Sequence, residues 1–426
     1  MHHLRLAALL ISSGLCSAST ALAQAPAPSA ATAAPPAAAP ADDTESLFRF
    51  YGTFTPRVVV TSQAVESFSQ PNAVAITAAG NPILSVIPDK ARYTFQVAQS
   101  RIGFWLNEKG PVRAQLELDF VDFTKSSPTT ASLPRLRLAR VDYSFAPGHT
   151  LAMGQDWDLH APLNPHGINL VAALFQAGNA AFMREQLKYV YSTSEYELGA
   201  ALGFPTPNNS AKAASAEIGT LPTVAVRGAY KWSKGRVGAS AIATRLPFNL
   251  GEADERRGNA FSAALFSELA PGADTQVRVE LNVGQNAANL GLLTLAQGRH
   301  AADLREVGGF ISARQGVTSR HALYGMAGYQ KVLDASQVVP SYGYGAPSGD
   351  GAAPDFSSAT LSGTGPGLVH NGTVRLGYEF KPTRRLAFMM EGFLFQSRFR
   401  LQQVDEGRAE PRRTSLGLET GALLSF

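Results

Sequence analysis

From Val112 to Phe120 the chain alternates strictly: Val112, Ala114, Leu116, Leu118 and Phe120 share one phase, and Arg113, Gln115, Glu117 and Asp119 share the other. A strand turns successive side chains to opposite faces, so this segment predicts a strand with one apolar and one charged face. The same period of two returns along the chain. Leu187, Tyr189 and Tyr191 oppose Arg184, Gln186 and Lys188, while Val224, Val226, Tyr230 and Trp232 oppose Arg227 and Lys231. Val277, Val279, Leu281 and Val283 oppose Gln276, Arg278, Glu280 and Asn282; Val374, Leu376, Tyr378 and Phe380 oppose Thr373, Arg375, Gly377 and Glu379. The series ends with Leu416, Leu418, Thr420, Ala422, Leu424 and Phe426 in one phase, and with Glu419 among small or polar residues in the other.

Two kinds of connection separate these segments. Gly-, Pro- and Ser-bearing turns stand at 107–110, 146–149, 192–194, 233–235, 270–273, 316–319 and 381–384, which is hairpin chemistry. Longer polar stretches lie near 61–91, 123–133, 157–182, 204–222, 246–257, 285–302, 332–368 and 397–411. Seven short and eight long connections predict sixteen strands, the first near 48–60. Strict short–long alternation is what an all-β, transmembrane antiparallel β-barrel shows, with short periplasmic turns and long extracellular loops. Alternation alone does not say which face points inward, since a soluble sandwich also alternates. The aromatics decide it. Tyr143, Phe145, Tyr230, Trp232, Tyr329, Tyr378, Phe380 and Phe426 are expected close to the short turns or the C-terminus, as a belt at the headgroup level of one membrane face. A terminal strand ending on Phe426 is the usual ending of such a barrel, and it must pair with the first strand to leave no edge in lipid.

The ends of the chain fit export. His2, His3 and Arg5 precede the apolar run Leu6–Ile11, and Ala21-Leu22-Ala23 is an A-x-A cleavage site, so residues 1–23 read as a signal peptide. Residues 24–46 read as an Ala/Pro-rich periplasmic tether, with ten Ala and five Pro between Gln24 and Asp43, too poor in apolar bulk to fold. Residues 47–426 are the expected barrel. Cys16 is the only cysteine and falls in the removed segment, which excludes disulfides, thiolate metal sites and cysteine catalysis. No segment has the 18 or so apolar residues of a spanning helix. A net charge of +4 gives no basis for nucleic-acid binding, and a mean hydropathy of −0.04 suits a wall in which every second residue meets lipid.

One run resembles a known family. Arg135-Leu136-Arg137, then Gly154-Gln155-Asp156-Trp157, Pro162-Leu163-Asn164-Pro165, Gly178-Asn179 and Arg184-Glu185-Gln186-Leu187-Lys188 resemble the R-x-R, G-Q-x-W, loop and R-x-x-Q-x-R/K pattern of the DcaP-like outer-membrane porins. The run covers about 55 residues, and a weaker strand-and-turn likeness extends over most of 47–426. The resemblance implies a homotrimeric channel with a long loop folded into the lumen and a taste for anions such as dicarboxylates. The periplasmic coiled-coil segment that many members carry has no counterpart here beyond the Ala/Pro tether.

A barrel of this size encloses water, and its selectivity is set by a constriction and its field. The inward phase nominates Arg113, Glu117, Asp119, Arg184, Lys188, Arg227, Lys231, Arg236, Arg278, Glu280, Arg314, Arg375, Glu379, Glu391 and Glu419. Nine bases against six acids lean the lumen towards carboxylates or phosphates, which arginine holds by forked hydrogen bonds. The competing reading is that these charges pair across strands and brace the wall. Arg135 and Arg137 share a phase with Ala139, Val141 and Tyr143. Either a bulge switches the phase and turns them to the pore, or they meet lipid phosphates at the upper rim. The loop 158–182 is the expected constriction, because burying Leu170, Val171, Leu174 and Phe175 would require folding it against the inner wall. Asp156 and Asp158 are expected to line the eyelet opposite the basic wall. His160 and His166 lack a third ligand for a metal site, and no metal or other cofactor is expected.

These features predict an outer-membrane porin that passes small hydrophilic, preferably anionic, solutes. Its implied partners are those solutes, outer-membrane lipid and lipopolysaccharide, and two further copies of the chain. A phosphate-selective porin would stack arginines down one wall, and a structural or adhesive barrel would use the tether and long loops. An enzyme is not expected, since no Ser, His and acid set gathers near His321.

Overall fold

The computed structural model describes residues 47–62, 91–120, 134–160, 162–169, 173–204, 221–248, 256–292, 295, 303–338, 368–399 and 412–426. The expected signal peptide and tether lie outside these residues. Sixteen antiparallel strands form one ring. They are β1 (Phe48–Phe54 and Arg57–Thr61), β2 (Arg92–Gln96 and Arg101–Leu106), β3 (Val112–Asp119) and β4 (Arg135–Ala146). Then come β5 (His149–Trp157), β6 (Met183–Ser192), β7 (Tyr196–Gly203), β8 (Thr223–Trp232), β9 (Gly235–Phe248) and β10 (Arg256–Gly272). The ring is completed by β11 (Thr275–Gln285), β12 (Arg305–Gly316), β13 (His321–Val332), β14 (Leu368–Phe380), β15 (Leu386–Phe399) and β16 (Arg412–Ser425). Each strand pairs with the next, and β16 pairs back with both segments of β1. All seven expected short turns join the strands they were expected to join.

The two faces of the sheet are sorted as the alternation requires. Leu187, Val226, Leu281, Leu376 and Leu416 are exposed on the outside, whereas Asp119, Glu280, Arg375 and Glu391 are buried on the inside. An apolar exterior around a polar interior reverses the arrangement of a water-soluble protein and suits a hydrocarbon solvent. Among the described residues no helix is long and apolar enough to cross a membrane. At the short-turn end the outward aromatics form contacts around the rim: Tyr196 with Tyr230 at 5.5 Å, Tyr230 with Trp232 at 6.0 Å, and Phe54 with Phe426 at 5.5 Å between ring centres. Tyr329 is the exception to the expected belt. It lies three residues before Val332, the last residue of β13, with its ring 5.8 Å from that of His370, so it belongs to the long-loop rim.

Phe426 closes the ring. Its N–H donates to the Gly52 carbonyl at 3.1 Å and its carbonyl accepts from the Gly52 N–H at 3.2 Å. The ring lies over Gly52, where any Cβ would overlap it. A glycine is needed here to admit the terminal aromatic.

Two irregularities change the phase of the inner wall. Pro56 offers no N–H and interrupts β1. The partner β2 breaks at 97–100, and the Thr55 N–H turns to Ser100 Oγ at 3.1 Å. In β4 the register slips between Glu117↔Leu138 and Leu118↔Leu136, leaving Arg137 as an extra residue. This bulge sends both Arg137 and Leu138 inward. It settles the ambiguity at Arg135 and Arg137: both face the interior, and the phase of Val141 and Tyr143 begins only beyond the bulge.

Closure also gathers charge. Glu391 of β15 and Glu419 of β16 are direct cross-strand partners, an arrangement that repels. Arg375 on β14 pairs with Glu391 and lies 3.7 Å from Glu419, while Arg57 on β1 pairs with Glu419 from the other side. All four side chains are at most 4% exposed. Glu419, expected to meet water, is therefore shut inside a chain of four charges that runs from β14 across the seam to β1.

Removing one member leaves a buried charge without its partner, which costs about 3–5 kcal/mol. Arg375→Met is expected to lower the temperature at which the folded, fast-migrating gel band converts to the unfolded form. Adding Glu391→Leu should restore most of the loss, because the Arg57–Glu419 pair then stays balanced.

Candidate functional site in the barrel lumen

Loop 158–182 leaves β5 at its long-loop end and folds into the barrel. Leu159, Leu163, Ile168, Leu174, Phe175 and Phe182 are all buried. They meet inward side chains of the wall: Leu163, Ile168 and Leu174 pack with Phe266, Phe310, Tyr324 and Met326, and Phe175 and Phe182 pack with Leu138 and Met183. A segment this apolar is thus satisfied by lining the inside of the sheet. Leu170 and Val171, also expected to be buried, lie outside the described residues.

Polar contacts fix the path. Arg227 donates to the Leu159 carbonyl at 3.3 Å and Arg278 to the Asn164 carbonyl at 2.8 Å. The His166 N–H donates to Ser312 Oγ at 3.1 Å, and Gln99 bonds the Asn169 side chain at 2.6 Å. On the return limb Asn371 donates to the Gln176 carbonyl at 3.1 Å and Asn282 to the Gly178 carbonyl at 2.7 Å. Leu174, Gln176 and Gly178 all have positive φ in the tight turn 174–179, a conformation that costs a non-glycine residue energy and persists only when packing fixes it. The backbone there rests directly on the wall. A Cβ on Gly328 would overlap the Ala177 carbonyl oxygen, and one on Gly178 would overlap the backbone of Gly309. A second inward element, the short 3-10 helix Ala287–Leu290, packs Leu290 with Leu159 and Ile242.

The sequence-nominated charges sort into braces and partly exposed groups. Arg184 is almost fully buried and bonds Asp158 at 2.8 Å and the carbonyls of Leu290 and Phe204. Arg375 and Glu391 belong to the seam, where Arg375 also stacks on Phe393 and Phe395. Glu117 pairs with Arg137, and Asp119 takes two hydrogen bonds from Arg135 at 2.6 and 2.8 Å. Arg137 in turn lies over the Trp157 ring at 5.3 Å. These side chains hold the wall and the loop base together. Asp156 and Asp158 form no separate acidic face across the lumen: Asp156 is held by Arg140 and Lys188, and Asp158 by Arg184. The expected transverse field is replaced by neutralisation on neighbouring strands.

The second set keeps contact with the lumen. Arg113 pairs with Asp142 at 3.3 Å, Arg140 with Asp156 at 2.6 Å, Lys188 with Asp156, Arg227 with Glu197 at 2.6 Å and Arg314 with Glu379 at 2.5 Å. In every one of these pairs the base keeps between 12% and 25% of its side chain exposed, whereas the acid keeps between 1% and 6%. Arg236 and Arg278 share one acid, Glu268, which is the more exposed member there. Lys381 adds a second base to Glu379 at 3.1 Å. Among the described residues of this set eight bases meet five acids. Arg140, Asp142, Glu197, Glu268 and Lys381 were not nominated from the sequence. Arg140 and Asp142 occupy the polar phase opposite Val141 and Tyr143 and were open to the same period-of-two reading.

Burial disfavours the charged form of both loop histidines. Burial pushes the imidazole of His160 down to about 4, and burial likewise lowers that of His166 against the opposing pull of Glu379. His160 is therefore neutral at pH 7. His160 Nδ1 lies 3.4 Å from Ser240 Oγ, and His166 Nε2 lies 3.5 Å from Glu379.

No protein-family model and no curated protein sequence matches this chain. Solved structures do match, over 89% of it in each case. The outer-membrane channel DcaP of Acinetobacter baumannii is similar with 13% identity, 97% of its own chain covered and a TM-score of 0.59. An anion-selective porin from Comamonas acidovorans has 13% identity, 99% coverage and a TM-score of 0.52. OprB of Pseudomonas putida has 10% identity, 94% coverage and a TM-score of 0.53. At such identities the likeness is one of fold: this barrel is built as bacterial outer-membrane porins are.

The seat of the loop is testable. An added side chain at Gly328 costs the seated backbone about 1–3 kcal/mol, so Gly328→Val is expected to raise unitary conductance and open-channel noise in planar bilayers. A conductance equal to that of the parent would show that loop 158–182 is not what narrows the lumen.

Proposed function

We propose that the chain forms an outer-membrane diffusion channel for small hydrophilic solutes, with a preference for anions and dicarboxylates in particular. One observation carries the anion reading: five inner-wall ion pairs, those of Arg113, Arg140, Lys188, Arg227 and Arg314, bury their acids and leave their bases partly exposed. A solute in the lumen then meets guanidinium and ammonium groups whose counter-charges sit behind them, out of reach. In a narrow passage with low-dielectric walls this one-sided exposure raises local anion concentration. Dicarboxylates suit the spread of the bases over β3 to β12, since two carboxylates can engage two separate groups.

The apolar exterior and the rim of aromatics support the membrane assignment, with the short turns on the periplasmic side. A homotrimer is supported by the outside of β1 and β2. These short, interrupted strands carry Phe50, Tyr93, Phe95 and Val97, each at least 62% exposed, a concentration of large apolar groups suited to burial between copies. No catalytic step is assigned to any residue.

Reversal potential under a KCl gradient across a planar bilayer tests the reading. Chloride is expected to permeate ahead of potassium, and Arg113→Gln/Arg140→Gln/Lys188→Gln should lower the permeability ratio by about threefold or more. A cation-selective parent channel, or one that does not conduct, would end the proposal.

A further inference from the structure

At the long-loop end of four consecutive strands, Lys331 (β13), His370 (β14), Arg398 (β15) and Arg412 (β16) stand side by side. Lys331 pairs with His370, His370 with Arg398, and Arg398 with Arg412. All four lie in the outward phase, that of Tyr329, Val374, Leu394 and Leu416. Lys331, Arg398 and Arg412 are exposed and His370 is half-buried. At the usual strand spacing the row extends about 15 Å along the rim.

Like charges placed directly opposite one another destabilise a sheet. Inside the barrel the Glu391–Glu419 pair has Arg375 and Arg57 on its flanks. Outside, the charges of Arg398, Arg412 and Lys331 all bear on His370, and among the described residues no acid offsets them there. A row of bases of this kind suits an anionic partner. Past one tier of Gly372, Gln396 and Thr414 the outer wall turns apolar at Val374, Leu394 and Leu416, all exposed.

We propose that this row binds the phosphate groups of an outer-leaflet glycolipid, with the acyl chains lying against Val374, Leu394 and Leu416. The assignment rests on the membrane reading above, which places the long-loop end in the outer leaflet. Charge complementarity selects the occupant. Guanidinium groups hold phosphate by forked, charge-assisted bonds, and bases above an apolar band match an anionic head on apolar tails. Inorganic phosphate would fill only the upper half of this surface.

The test is native mass spectrometry of the detergent-purified barrel. It is titrated with a bisphosphorylated disaccharide glycolipid and, separately, with the same lipid stripped of its phosphates. The parent is expected to retain the phosphorylated lipid preferentially, and equimolar inorganic phosphate should not displace it. Lys331→Gln/Arg398→Gln/Arg412→Gln should weaken retention by at least about tenfold while leaving the dephosphorylated lipid unaffected. Should the triple variant fail to fold, Arg412→Gln alone carries the measurement, with about a threefold loss expected. Equal retention by parent and variant, equal retention of the two lipids, or loss of the oligomer in place of the lipid would overturn the site. These side chains face away from the lumen, so the KCl-gradient reversal potential should not change in the variant. A barrel that keeps the phosphorylated lipid but does not conduct would uphold this site and overturn the channel.

Discussion

A peptide group in hydrocarbon has no water to bond, so every strand in this chain must have a partner on both sides. That constraint determines more than the outline. It forces β16 back onto β1, makes the terminal Phe426 share two backbone bonds with Gly52, and leaves a glycine there to admit its ring. It also fixes which side chains meet inside. Once the ring is shut, each inward charge has its neighbours set by register, and no single segment can choose its own partner.

The architecture was legible from the sequence because its two governing signals are local. A period of two marks a strand, and a Gly-, Pro- or Ser-bearing turn marks its end; neither needs knowledge of a partner. What escaped depends on register. The phase change at Arg137 arises because β4 carries one residue more than the stretch of β3 it faces, and nothing within β4 announces this. Asp156 was legible as inward, but its capture by Arg140 and Lys188 follows from the pairing of β4, β5 and β6. Glu268 stayed hidden because both phases of β10 near Leu265 and Phe266 are apolar, the inward one serving the loop. Tyr329 was assigned to the wrong rim by proximity in sequence to a turn that lies at the other end of β13.

Loop 158–182 shows how a membrane barrel handles a hydrophobic segment that is not part of its wall. Its apolar side chains do not seek lipid; they find Phe266, Phe310, Tyr324 and Met326, inward residues that would otherwise line water. The loop and this part of the wall therefore form one hydrophobic core on the lumen side of β10 to β13. Wall charges share in that packing: Arg227 and Arg278 each donate to a loop carbonyl.

The seam has a bearing on assembly. Glu391 and Glu419 become neighbours as soon as β15 and β16 form their hairpin, before the ring closes. At that stage Arg375 on the adjoining strand supplies one positive charge for two carboxylates. The second, Arg57, sits on the first strand and arrives only with closure. An unclosed sheet therefore carries a net negative charge at the edge that must still find its partner, and that edge is matched by an arginine on the opposite one. In the closed wall the same four residues make the junction of last strand and first a match of charge as well as of hydrogen bonds.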